Sequence, residues 1–148
     1  MKSIMEIQRI KQVKLEVEVN KSTIRSPEDA AVVATEFIGD DDREVMLVMC
    51  LNTKNEVIAV HRAHVGSLNS SIVHPREIFK AAILNNSAFI VVAHQHPSGN
   101  TMPSNPDIQV SKQLKEAGEL IGIEVLDSLI VSDNPEGYFS LKEKGYLT

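Results

Sequence analysis

Residues 91–107 read VVAHQHPSGNTMPSNPD. His94 and His96 close an apolar run, a loop of Pro, Ser, Gly and Asn follows, and Ser104 precedes Asp107, which stands eleven residues after His96. In an extended chain, residues i and i+2 project to the same side, so the two imidazoles can face one point in space. The Pro- and Gly-containing loop can fold back to bring Asp107 to that point. Two neutral imidazole nitrogens and one carboxylate oxygen, with a fourth position left open, form the ligand set of a catalytic zinc ion. The same residue types also make the facial triad of non-haem iron oxygenases, so ligand identity leaves the metal open. A zinc-bound water has its pKa lowered to about 7 and supplies hydroxide at neutral pH.

Hydrolysis needs a base as well, and Glu44, Glu77 and Asp127 stand near the ends of expected strands or helices. Spacing does not choose among them. Taken singly, Ser104 reads as a helix cap and Asp107 as an acidic residue facing a helix N-terminus. Ser98 and Gly99 read as loop formers, because no base accompanies Ser98. His61 and His64, three apart on an expected strand, point to opposite faces and do not suit a shared ion. His74 precedes the proline that opens a helix. These three histidines are assigned surface or structural places.

The elements that must position the loop follow from pattern. VKLEVEV (13–19) alternates apolar and charged residues, which predicts a half-buried strand. SPEDAAVVATEFIG (26–39) predicts a helix with Ser26 as N-cap, Pro27 in its first turn, Asp29 completing a capping-box pattern and Gly39 at its end. EVMLVMCL (44–51) is continuously apolar after Glu44, as in a strand covered on both faces. VIAVHRAHV (57–65) is its hairpin partner. HPREIFKAAILNN (74–86) is a second helix and AFIVVAH (88–94) another buried strand. NPDIQVSKQLKEAGELIG (105–122) is a third helix, with Ile108, Leu114, Ala117 and Ile121 on one side. Strand character over 123–133 and 137–141 completes an α/β domain with a mixed sheet flanked by helices.

Composition narrows the classes. With 148 residues the chain has the length of one domain. It is 43% hydrophobic and 24% charged, which indicates neither disorder nor a fibrous repeat. A net charge of −5 argues against a non-specific nucleic-acid binder, although Lys2, Arg9, Lys11 and Lys14 cluster early. The single cysteine, Cys50, lies inside an apolar run and reads as a small core hydrophobe. No apolar stretch approaches the ~18 residues of a membrane span, and no signal peptide opens the chain, so a cytoplasmic location is expected. The H-E-x-x-H pattern of thermolysin-type proteases is absent. The H-x-E and P-C-x-x-C pair of the deaminases is absent too.

Glu44, His94-x-His96-Pro97, Ser104 and Asp107 together resemble the E…H-x-H-P…S-x-x-D signature of the JAMM (MPN/JAB) metalloprotease family. HPREIFKAAILNNSAFIVVAHQHPSG, PSNPDI and LKEAGELIGIEVLDSLIV resemble specifically its RadC-like branch, over a span from about residue 26 to the C-terminus. The resemblance implies residues 1–25 as an N-terminal strand or extension and 26–148 as the JAMM/MPN domain, with a fold related to the cytidine deaminases. It implies one zinc ion per chain on His94, His96 and Asp107. Glu44 would take the proton of the attacking water, and Ser104 would help hold the developing oxyanion. The implied activity is that of a metallopeptidase or isopeptidase on a protein or peptide substrate. The alternative is a DNA-repair or mobile-element accessory protein acting on or near DNA. Two features depart from the branch: Asp127-Ser128 stands where an aspartate-histidine pair is frequent, and the residues before Glu44 show no helix-hairpin-helix pattern.

Overall fold

Seven consecutive apolar residues, Val45–Leu51, form strand β1, and every one of them is buried. A strand apolar on both faces must lie inside a sheet covered on both sides, and the computed structural model, which describes residues 1–148, places it there. The remaining elements, in chain order with β1, are α1 (Pro27–Ile38), β2 (Val57–Val65), α2 (Pro75–Leu84), β3 (Phe89–Gln95), α3 (Asn105–Ile121), β4 (Glu124–Val131) and β5 (Phe139–Ser140). The sheet order is β2-β1-β3-β4-β5. β3 and β4 are parallel, joined by the α3 crossover, and the other pairs are antiparallel. This is the mixed sheet flanked by three helices that the pattern predicts.

Alternation along β1 divides the core. Val45, Leu47, Met49 and Leu51 pack under α1 with Val91, Ala93, Leu129 and Val131. Met46, Val48 and Cys50 pack under α2 and α3 with Ile90, Val92 and Val125. The thiol of Cys50 is fully buried, and burial pushes its pKa up, as befits a core residue. On α3 the stripe facing the sheet is Asp107, Val110, Ser111, Leu114 and Gly118. Ile121, expected on that stripe, is 43% exposed instead. Gly118 lets α3 press against the start of β4: a Cβ there would come within 2.4 Å of the Ile123 carbonyl oxygen.

A bulge decides which side chains β4 presents. Ile90 pairs with Val125 but Val91 pairs with Asp127, so Leu126 is skipped. A bulge re-aims the side chains beyond it. Asp127, Leu129 and Val131 therefore face α1, and Ser128 faces α3.

The strand expected over 13–19 does not form. The chain pairs with β2 only at its end, through Ser22 O to Val57 N at 2.7 Å and Ile24 N to Asn55 O at 2.9 Å. Residues 1–19 carry no regular structure, and Val13, Leu15 and Val17 are each more than half exposed. Register explains why. Extending the Thr23–Glu56 bridge backwards would set Val17 opposite Arg62 and Leu15 opposite His64. A period-two pattern becomes a strand only where its apolar side meets an apolar surface.

Candidate metal centre

His94 lies on the same sheet face as Ile90 and Val92, under α2 and α3, one residue before the end of β3. His96 follows two residues later. The chain then turns sharply: Gly99 N donates to His96 O at 2.8 Å, with Gly99 at φ +83, a left-handed conformation that glycine adopts without strain. The Ser98 hydroxyl accepts from Asn100 N at 3.3 Å, so this serine shapes the turn. The loop ends at Ser104, which caps α3 in a capping box. Its Oγ accepts from Asp107 N at 3.2 Å, and its N–H donates to Asp107 Oδ2 at 2.8 Å. The cap thus fixes the carboxylate that the helix delivers to the two histidines.

The three side chains converge. Their nearest ligand atoms lie within 4.8 Å of one another. His94 Nε2 is 3.1 Å from Asp107 Oδ1, and His96 Nε2 is 2.9 Å from Asp107 Oδ2. His94 and Asp107 are nearly inaccessible, whereas 18% of the His96 side chain is exposed, so the site opens on the His96 side. Burial alone would raise the Asp107 carboxyl, but His94 beside it and the two Ser104 bonds hold it well below the usual carboxylate range.

The hydrogen-bond roles at this cluster call for a cation. His96 Nδ1 lies 2.6 Å from the carbonyl oxygen of Asn100, which can only accept, so Nδ1 carries the proton. In a neutral imidazole, Nε2 then presents a lone pair to a carboxylate oxygen 2.9 Å away. Two acceptors at that distance repel unless a proton or a metal ion lies between them. His94 adds to the demand: both its ring nitrogens are buried without a hydrogen-bond partner, and its Nε2 lies 3.1 Å from Asp107 Oδ1. An ion in this pocket would take one nitrogen each from His94 and His96 together with an oxygen of Asp107, and the Asn100 carbonyl would hold His96 in the tautomer a ligand requires. His94, His96 and Asp107 thus form a metal-capable group.

Glu44 sits one residue before β1, partly buried. Met46 pairs with His94 across β1 and β3, so the same antiparallel register carried two residues further sets Glu44 across from His96. Glu44 shares the parity of Met46 and hence the sheet face of the histidines. Asp127 faces α1, where Ser140 Oγ (2.6 Å), Ser128 N (2.7 Å) and Lys142 N (3.2 Å) donate to its carboxylate. Glu77 is paired with Lys80 at 2.8 Å in the first turn of α2. His61 and His74 are exposed, and His64 Nε2 meets Ser67 O at 3.1 Å, so none of the three joins the cluster.

Four supporting residues escaped the motif reading. Gln95, between the two histidines, is 1% exposed. Its Oε1 accepts from Val45 N at 3.0 Å, and its Nε2 donates to the carbonyls of Arg43 and, at 3.3 Å, Asp41. One side chain thus ties down the segment that carries Glu44. Alternation did point Gln95 away from the histidines, and a polar residue in a buried strand was a signal that could have marked it. Asn100, Ser111 and Ser128 act through contacts that no local pattern announces.

Residues 24–146 match the RadC-like JAB domain. The chain is 47% identical over 137 residues to a UPF0758 protein of Alkaliphilus metalliredigens, covering 93% of this chain and 58% of that protein. It is 50% identical over 124 residues to a UPF0758 protein of Desulforamulus reducens (84% and 54%) and 53% identical over 124 residues to one of Clostridium tetani (84% and 54%). It spans little more than half the length of these relatives. With that domain covering most of its length and carrying the His94, His96 and Asp107 cluster, the chain belongs to the RadC-like JAB domain family.

Proposed function

We propose that this domain is a zinc-dependent hydrolase that cleaves an amide bond in a protein or peptide, as a peptidase or isopeptidase. The observation that carries the reading is the facing of acceptors at His96 Nε2 and Asp107 Oδ2, 2.9 Å apart, beside the unpartnered buried nitrogens of His94. His94, His96 and Asp107 would hold the zinc ion, which would supply Lewis acidity and a water activated for attack at neutral pH.

The chain's own groups do the rest. Glu44, on the histidines' face and outside the ligand group, takes the proton of the attacking water and returns it to the leaving nitrogen. Asp127 faces α1 and Glu77 is paired with Lys80, which favours Glu44 for this work. Ser104 Oγ accepts from Asp107 N, so its hydroxyl proton stays free to donate to the developing oxyanion.

Elemental analysis of the purified protein, followed by peptide-library cleavage by wild type and Glu44→Gln, tests the reading. About one zinc per chain is expected in both, absent from His96→Ala, with cleavage lower by at least ~10²-fold in Glu44→Gln. Equal zinc in wild type and His96→Ala, or equal cleavage by wild type and Glu44→Gln, overturns it. Iron content with oxygen-dependent turnover would assign an oxygenase.

A further inference from the structure

We infer that Ser111 and Ser128 are positioning residues that set the metal affinity of the site by holding the Asp107 end of α3 to the sheet. The inference rests on the reading of His94, His96 and Asp107 as ligands. Ser111 Oγ lies 2.9 Å from the backbone oxygen of Asp107 and 2.7 Å from Ser128 Oγ. Both serines are almost fully buried, at 1% and 0% exposure.

The direction of the chain of bonds follows from the groups. A carbonyl only accepts, so the single Ser111 proton goes to Asp107, and the Ser111–Ser128 bond must use the proton of Ser128. The sequence of donors is therefore Ser128, Ser111, Asp107 O. Ser128 pairs with Val92 across β4 and β3, two residues before His94, as Ile130 pairs with His94 itself. Through two hydroxyls the first turn of α3 is thus fastened to the strand beside the one that ends in the histidines. Without that link, Ser104 would still orient the Asp107 carboxylate on its own helix. The polar contacts left between that turn and β3 would then be those of Asp107 with the two histidines themselves.

The helix itself does not need the bond. The Asp107 carbonyl has the ordinary backbone partner four residues on, and a serine bonding back to it adds no helical stability. Removing both hydroxyls together also leaves no orphaned hydroxyl behind, so the Ser111→Ala/Ser128→Ala double variant is expected to fold.

The test is zinc affinity by competition with a chromogenic chelator, set beside urea unfolding of the metal-free protein. The double variant should bind zinc about tenfold or more weakly, within the range seen when groups that hold a metal ligand are lost. Its metal-free unfolding midpoint should stay near wild type. Because the hydroxyls act in series, Ser111→Ala alone should lose as much affinity as the double variant. Unchanged zinc affinity in the double variant overturns the inference while leaving the ligand assignment intact. An affinity loss matched by an equal loss of metal-free stability also overturns it, by showing a merely structural role. Wild-type protein that binds no zinc overturns both the ligand assignment and this inference.

Discussion

Replacing Gln95 tests how the segment carrying Glu44 is held beside the histidines, because this one side chain fixes the stretch preceding β1. Gln95→Met keeps the length of the side chain and removes all three of its bonds. The Val45 N–H, which is buried, loses the acceptor 3.0 Å away. The carbonyls of Arg43 and Asp41 lose a donor, but both residues are open enough for water to replace it. An orphaned buried donor costs about 1–3 kcal/mol and each exchanged bond a further ~0.5 kcal/mol, for a total of about 2–4 kcal/mol. With a urea slope near ~2 kcal/mol/M, the unfolding midpoint should fall by about 1–2 M. Hydrogen exchange should show faster exchange at Val45 in the variant. Zinc content should stay as in wild type, since Gln95 touches none of the three ligands, while turnover on any substrate falls as Glu44 loses its placement. A Gln95→Met protein with wild-type midpoint and wild-type turnover would refute the reasoning.

Two further outcomes can be checked alongside. Ser104→Ala removes the acceptor for Asp107 N but not the Ser104 N–H bond to the carboxylate, so it should cost about 1 kcal/mol of stability in urea melts; a fall in turnover of roughly 10²-fold would mark oxyanion binding in addition, and unchanged turnover would confine Ser104 to its cap. Burial pushes the Asp127 carboxyl up despite the Ser140, Lys142 and Ser128 donors, so the folded state favours its protonated form and loses stability as pH rises from the ordinary aspartate value through the raised one. Asp127→Asn does not titrate, can keep the two backbone N–H bonds on its oxygen and can donate its amide to Ser140 Oγ in place of the third, so urea midpoints from pH 4 to pH 7 should move in its favour relative to wild type and level off at the top; a trend in the opposite direction would show that the hydrogen bonds outweigh burial.

Much of the site is written in local spacing. His94 and His96 share a side because extended residues two apart must, and Ser104 and Asp107 lock together because a capping box spans three residues. The unbroken apolar run of β1 announced a strand covered twice, and the proline and glycine positions announced the helices. Each of these depends on geometry inside one element, which a few neighbouring residues fully determine. What needed the tertiary structure depends on register between elements far apart in the chain. The bulge at Leu126 turns Asp127 to α1 and Ser128 to α3, and it arises where β4 meets β3 rather than from any signal within β4. Gln95 reaches residues about fifty positions away, and Ser111 meets Ser128 only because α3 crosses back over the sheet. Residues 13–19 show the converse: their alternation is as regular as any strand's, yet along the edge of β2 Leu15 and Val17 would pair with His64 and Arg62, and they stay unpaired. A local pattern states what a segment can bury; only the packed chain supplies something for it to be buried against.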